Sequence, residues 1–131
     1  MRTDFNTKIS ASSRDLSAKE RVMIKNIADA IQLDSLVKDE TSEPAVIYPD
    51  YWVELEIHNE HANGASDYTK FVIVDKRDGA KYVTGSSSFI NAFNDIADEI
   101  ADEPDMDEWG IKVFRRPSKN YSGSFITCAI C

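Results

Sequence analysis

From Tyr51 to Ile57 the chain alternates strictly. Val53, Leu55 and Ile57 fall on one side, and Trp52, Glu54 and Glu56 on the other. Period two is the mark of a half-buried strand, so the apolar trio faces in and Trp52 faces out. A polar loop follows, then the β-branched run Thr69–Asp75 predicts a second strand. It ends at Lys76-Arg77-Asp78-Gly79, and Asp-Gly is a strong hairpin signal. A third strand runs from Ala80 to Thr84 and stops at Gly85. Ser86–Ser88 supply a helix start, and Phe89, Phe93, Ile96 and Ile100 recur at helical spacing up to Pro104. In the fourth strand, Trp109–Arg116, Ile111 and Val113 share one face while Lys112, Phe114 and Arg116 share the other. The polar segment 117–123 leads to a fifth strand, Ser124–Ile130.

The N-terminal third reads differently. Residues 1–15 are polar and aperiodic, which predicts a flexible arm. Ser17 followed by Glu20 forms a capping box, and Met23, Ile27, Ala30 and Ile31 stripe a helix over 16–34. Residues 35–45 are acidic and turn-rich, as in a linker. The body, 46–131, then has the order β-β-β-α-β-β. This predicts an α+β protein, mainly β with helices, in the form of an OB-like five-stranded antiparallel barrel preceded by an N-terminal helix. A flat antiparallel sheet in an α+β sandwich gives the same string of elements.

With 131 residues the chain is sized for one domain. Hydrophobic residues make up 42%, enough for a core. No apolar run reaches the roughly 18 residues of a membrane span, so no membrane association is expected. The first fifteen residues lack an apolar core, so no secretory signal is expected, and the two cysteines suit a reducing compartment. A cytoplasmic protein follows. The net charge of −8 argues against duplex binding by the whole surface, but its distribution is uneven. Residues 95–108 hold eight acids and no base. The last 23 residues hold four bases and no acid, which leaves −12 on the other 108.

Catalytic and metal chemistry find little support. Cys128 and Cys131 lie at i and i+3 on a strand, pointing to opposite faces, so a zinc site with His58 and His61 is not expected. Asp102–Glu108 lacks the glycine and the ligand spacing of an EF-hand. No phosphate loop, dinucleotide fingerprint or nucleophile elbow is present, and the two histidines lie in one loop. The chain reads as a non-enzyme without cofactor or metal. Cations beside aromatic rings remain, the pairing that single-stranded nucleic acid requires. Lys112, Phe114, Arg115, Arg116, Lys119 and Tyr121 form the main candidate group. Lys76, Arg77, Lys81 and Tyr82 on the second hairpin, with Trp52, form a second.

The segment from Lys70 to Ile130 resembles the small single-stranded DNA-binding proteins of bacteriophages and mobile elements, especially those of protein-primed Bacillus phages. The likeness rests on the Asp78-Gly79 turn leading into a strand with Tyr82, the serine-rich helix start, Ile111-Lys112-Val113, the loop with Ser118, Lys119 and Gly123, and a last strand opening on Phe125. The stretches YVTGSSSF and RRPSKNYSGSFITC also resemble parts of proteins from Gram-positive phages and integrative elements. The resemblance implies sequence-tolerant binding and protection of single-stranded DNA during phage or mobile-element replication or recombination, in the bacterial cytoplasm. The alternative is an acidic, DNA-mimicking inhibitor of a host defence nuclease, acting on a protein partner through Asp95–Glu108. A third reading is a homo-oligomer paired through the N-terminal helix.

Overall fold

The computed structural model describes residues 5–39, 41–61, 64–101, 103, 109–117 and 124–131. Its strands are β1 (Phe5–Ser12), β2 (Ile31–Gln32), β3 (Ala45–Ile47), β4 (Pro49–His61), β5 (Gly64–Asp75), β6 (Lys81–Thr84), β7 (Ile111–Pro117) and β8 (Ser124–Ile130). Its helices are α1 (Ala18–Lys25), the single turn α2 (Leu33–Leu36) and α3 (Ser87–Ala101), with a 3-10 turn at Ile27–Asp29. The order β-β-β-α-β-β expected of the body is present as β4, β5, β6, α3, β7 and β8.

The strands form two sheets rather than a closed barrel. One has the order β1-β4-β5-β6-β2 and the other β3-β7-β8. Among the described residues β6 and β8 are not paired, so the ring that would close a barrel is open there. The sheets are joined by almost continuous chain. β3 and β4 are separated by Tyr48 alone; β3 pairs with β7 while β4 pairs with β5. At the open side α3 lies against β8, where the Ser88 hydroxyl donates to the Ile126 carbonyl at 2.7 Å.

Both faces of the larger sheet are covered. One carries Val53, Leu55, Ile57, Val72, Val74 and Val83 against Ile24 of α1, with Ile9, Leu16 and Ile27 packed beside them. The other carries Phe71 and Ile73 against α3 and the smaller sheet, through Phe89, Phe93, Ile111, Val113, Ile126 and Cys128. The Cys128 thiol is pushed up to about 12 by burial, which makes it a small apolar side chain here. Phe93 is the hub of this layer. Its ring centroid lies 5.0 Å from Trp52, 5.1 Å from Phe71 and 5.9 Å from Trp109. Trp52 is therefore a packing residue, not the outward-facing ring that alternation predicts. Strict alternation implies one wet face, whereas here the second face is partly buried at Trp52, against the core, and exposed farther along, at Glu56.

The N-terminal third is more structured than its sequence suggests. Residues 5–12, expected as an arm, pair antiparallel with β4, with an irregularity between Ile9 and Ala11. Phe5 and Ile9, the two large apolar residues among eight, give too little signal for a strand. The capping box of α1 is formed: Ser17 Oγ accepts from Glu20 N at 3.1 Å, and Glu20 Oε1 accepts from Ser17 N at 2.9 Å. The helix nevertheless ends at Lys25 rather than about 34. Lys81 Nζ donates to the carbonyls of Met23 and Asn26, both at 2.8 Å, and pairs with Asp29 at 2.6 Å. A lysine from another strand thus caps the helix C-terminus, where a positive charge is favoured. Beyond it Ile31-Gln32 joins β6 in parallel. The expected linker is also anchored, since Val37 near its start is fully buried, as is Leu33 just before it.

The bend between β3 and β4 is held by one buried carboxylate. Asp75 is 1% exposed. It accepts from Arg77 N at 2.7 Å, Arg77 Nη2 at 2.9 Å, Arg77 Nε at 3.2 Å and Tyr48 N at 3.3 Å. Arg77 Nη2 also donates to the Val46 carbonyl at 2.8 Å, and Lys76 N to the Tyr48 carbonyl at 2.7 Å. Gly79 closes the turn with φ of 75°, a left-handed conformation that favours glycine. Burial pushes the Asp75 carboxyl up, but the hydrogen bonds from Arg77 and Tyr48 outweigh it and hold it below its ordinary value.

Two expectations follow. Phe93→Ala should cost about 3–5 kcal/mol, read from urea unfolding, since it empties the centre of an aromatic cluster. Asp75→Asn should cost about 1–3 kcal/mol at pH 7, because water can reach half-exposed Arg77 and offset part of the loss. Asp75 is bound more tightly as an anion in the folded chain, so its contribution is complete above its unfolded value near 3.8 and fades as the pH falls below it. The stability gap between wild type and Asp75→Asn should narrow across that window; a gap independent of pH would exclude the assignment.

Candidate functional site

The outer face of the smaller sheet is built by alternation along β7. Ile111 and Val113 point into the core, so Lys112, Phe114 and Arg116 point away from it. Register adds neighbours on both sides: Val46 opposes Lys112, Thr127 opposes Phe114, and Phe125 opposes Arg116. Lys112 and Arg116 are exposed, Phe114 is half-buried and Phe125 is 37% exposed. The Arg116 guanidinium lies over the Phe114 ring at 5.2 Å from its centroid. From Lys112 to Arg116 the row runs roughly 13 Å along the strand. Two cations and two accessible rings thus share one sheet face, as the sequence indicated for Lys112, Phe114 and Arg116.

Arg115, one residue away, does a different job. Its side chain turns to the core side, where Nε donates to the Val37 carbonyl and Nη2 to the Asp34 carbonyl at 3.3 Å. Its Nη1 donates to Ser124 O at 3.5 Å. Arg115 therefore clasps the α2 turn to the smaller sheet and drops out of the candidate binding group. Lys119 and Tyr121 lie outside the described residues.

The second expected group divides as well. Lys81 is used by the α1 cap and is largely covered, so it is corrected to a structural residue. Tyr82 packs against the core through its ring, and burial pushes its hydroxyl above the ordinary tyrosine value. It is a half-buried packing residue rather than an open stacking face. Trp52 is corrected as described above. Lys76 and Arg77 remain at the surface and, with Tyr48 and Trp109, line a cleft of about 320 Å³.

No sequence pattern marks this cleft as a unit. Tyr48 and Trp109 are 61 positions apart, and no local periodicity links them. Gly110 brings them together, since a Cβ there would lie 2.8 Å from the Tyr48 ring. The Arg77 guanidinium stacks on Tyr48 at 4.6 Å from the ring centroid, and Asp75 fixes its plane. Arg77 also touches β3 at Val46, whose side chain belongs to the outer sheet face beside Lys112. The cleft and the Lys112–Arg116 row therefore meet across a single strand.

Of the acidic cluster, Asp95, Asp98 and Glu99 are exposed along α3, as is Glu103 beyond it. Asp102, Asp105, Asp107 and Glu108 lie outside the described residues. No group of three or more His, Cys, Asp or Glu able to hold a metal is found among the described residues. No helix among them is long and apolar enough to cross a membrane. No protein-family model matches the chain, and no curated protein or solved structure shows a significant match to it.

Proposed function

We propose that the protein binds single-stranded DNA in a sequence-tolerant way, along the outer face of the smaller sheet, and protects it during phage or mobile-element replication or recombination. The observation that carries this reading is the row Lys112, Phe114 and Arg116 with Phe125, in which cations and rings alternate on one exposed face. A single strand offers phosphates to the cations and an unpaired base to each ring, whatever the sequence. A duplex hides its base faces, so the same row would gain only the phosphate contacts from it. The bent strand shared by two sheets, with a helix at the open side, supports an OB-like layout without barrel closure. The likeness to phage single-strand binders points the same way.

Anisotropy of a labelled oligo-dT, compared with the matching duplex from 50 to 300 mM salt, tests the proposal. Single-strand binding should exceed duplex binding and weaken with salt. Phe114→Ala should lose about 1–3 kcal/mol at every salt concentration, the worth of one stacked base. Arg116→Ala should weaken binding and also flatten the slope of log K against log salt by about 0.7, the share of one phosphate. Unchanged affinity in both variants would remove this face as the binding surface. An absence of binding by the wild type at tens of micromolar would overturn the proposal and turn attention to the acids of α3.

A further inference from the structure

We infer that the cleft lined by Tyr48, Lys76, Arg77 and Trp109 is a pocket for a single unpaired nucleobase, which enters as a planar ring rather than as a phosphate. The identity of the ligand rests on the single-strand reading; the shape and chemistry of the pocket do not. The volume of about 320 Å³ lies at the lower end of small-molecule sites. Two aromatic side chains and one guanidinium supply flat surfaces. Arg77 is the decisive residue. Its charge is already met by the buried Asp75 carboxylate at 2.9 Å, and Tyr48 backs its plane. An arginine whose charge is so compensated attracts a second anion weakly. As a flat, weakly hydrated plate that cannot rotate, it suits stacking. Its side chain is still 53% exposed, so the plate is accessible. Its bonds to Asp75 and Val46 use Nε and Nη2, and the Nη1 amino group takes no part in them.

The electrostatic balance points the same way. Lys76 and Arg77 stand beside Asp75 and Asp78, so the turn carries as many acids as bases. A phosphate would find little net attraction here and more along Lys112 and Arg116. Because Arg77 touches Val46 and Val46 opposes Lys112, the cleft begins where that row ends. A strand held by its phosphates on the sheet face can turn one base into the cleft beside Trp109.

Saturation-transfer NMR on the whole protein with adenosine, AMP and ribose 5-phosphate tests this directly. Adenosine and AMP should bind with affinities within about threefold of each other, through their base protons, and ribose 5-phosphate should show no transfer. Trp109→Ala should lower adenosine affinity at least fivefold. Trp109→Phe, which keeps a ring in the aromatic cluster, should stay within about threefold of wild type. A phosphate site would show the reverse order, with ribose 5-phosphate competing against AMP and adenosine silent. That outcome, or the absence of any adenosine signal at millimolar concentration, would overturn the inference. Oligo-dT carrying one 2-aminopurine supplies the second arm. Displacement of its quenched base by adenosine, with the oligonucleotide still bound by anisotropy, identifies the base of a bound strand as the occupant. Persistence of the quench at saturating adenosine would overturn that assignment. If adenosine binds and the oligonucleotide does not, the cleft stands and the single-strand reading falls.

Discussion

The fold depends on a carboxylate taken out of water. Asp75 sits where β3 gives way to β4, and four donors converge on it from two segments of chain. Burying such a charge alone would be prohibitive, so the surrounding donors must be in place for the site to exist. Their placement fixes the turn after β5, the bend at Tyr48 and the position of Arg77. Because of that bend, one run of chain serves two sheets. The smaller sheet can then lie over Phe71 and Ile73, with Phe93 filling the space between. The same carboxylate sets the plane of the guanidinium in the cleft, so the architecture of the core and the surface chemistry share one anchor.

Much of the body is legible in the sequence because its signals are local. The Asp-Gly turn, the heptad-like spacing of Phe89, Phe93 and Ile96, and the alternation in β7 each depend on neighbours within a few residues. Where tertiary partners decide, the reading departs from the structure. The end of α1 is capped by Lys81, which reaches Met23 from 58 positions away in the chain. β1 owes its existence to the open edge of β4, since only a partner can turn a polar stretch into a strand. Trp52 alternates with Val53 as an outward residue should, and a second layer then covers it. Sequence periodicity separates two faces without saying how many of them are wet.

The basic residues show the same limit at the site. Arg115 and Arg116 are adjacent and chemically identical, yet a strand sends them to opposite faces. One satisfies backbone carbonyls of the α2 turn; the other stays exposed over Phe114. Lys81 is likewise consumed by carbonyls at the end of α1. A count of cations along the chain therefore overstates the charge available to a ligand. Of the candidate cations among the described residues, what remains is Lys112 and Arg116 on one sheet face, together with a turn whose bases are balanced by acids. A chain with net charge −8 thus still sets Lys112 and Arg116 together on one sheet face, while Asp95, Asp98 and Glu99 are exposed along α3.

The sheet connections also set an order for assembly. β4 and β5 form a local hairpin in which His61 pairs with Gly64, so its ends meet at little entropic cost. β5 with β6 and β7 with β8 are local as well, but the other three pairings are long-range: Phe5 waits for Asn59, Ile31 for Tyr82 and Ile47 for Ile111. During synthesis β1 leaves the ribosome long before β4 exists, and β3 long before β7. High contact order of this kind slows folding and leaves strand edges open meanwhile. The polar, lysine-bearing character of β1 then gains a second meaning: a segment that must wait alone is safest when it offers little for another chain to pair with.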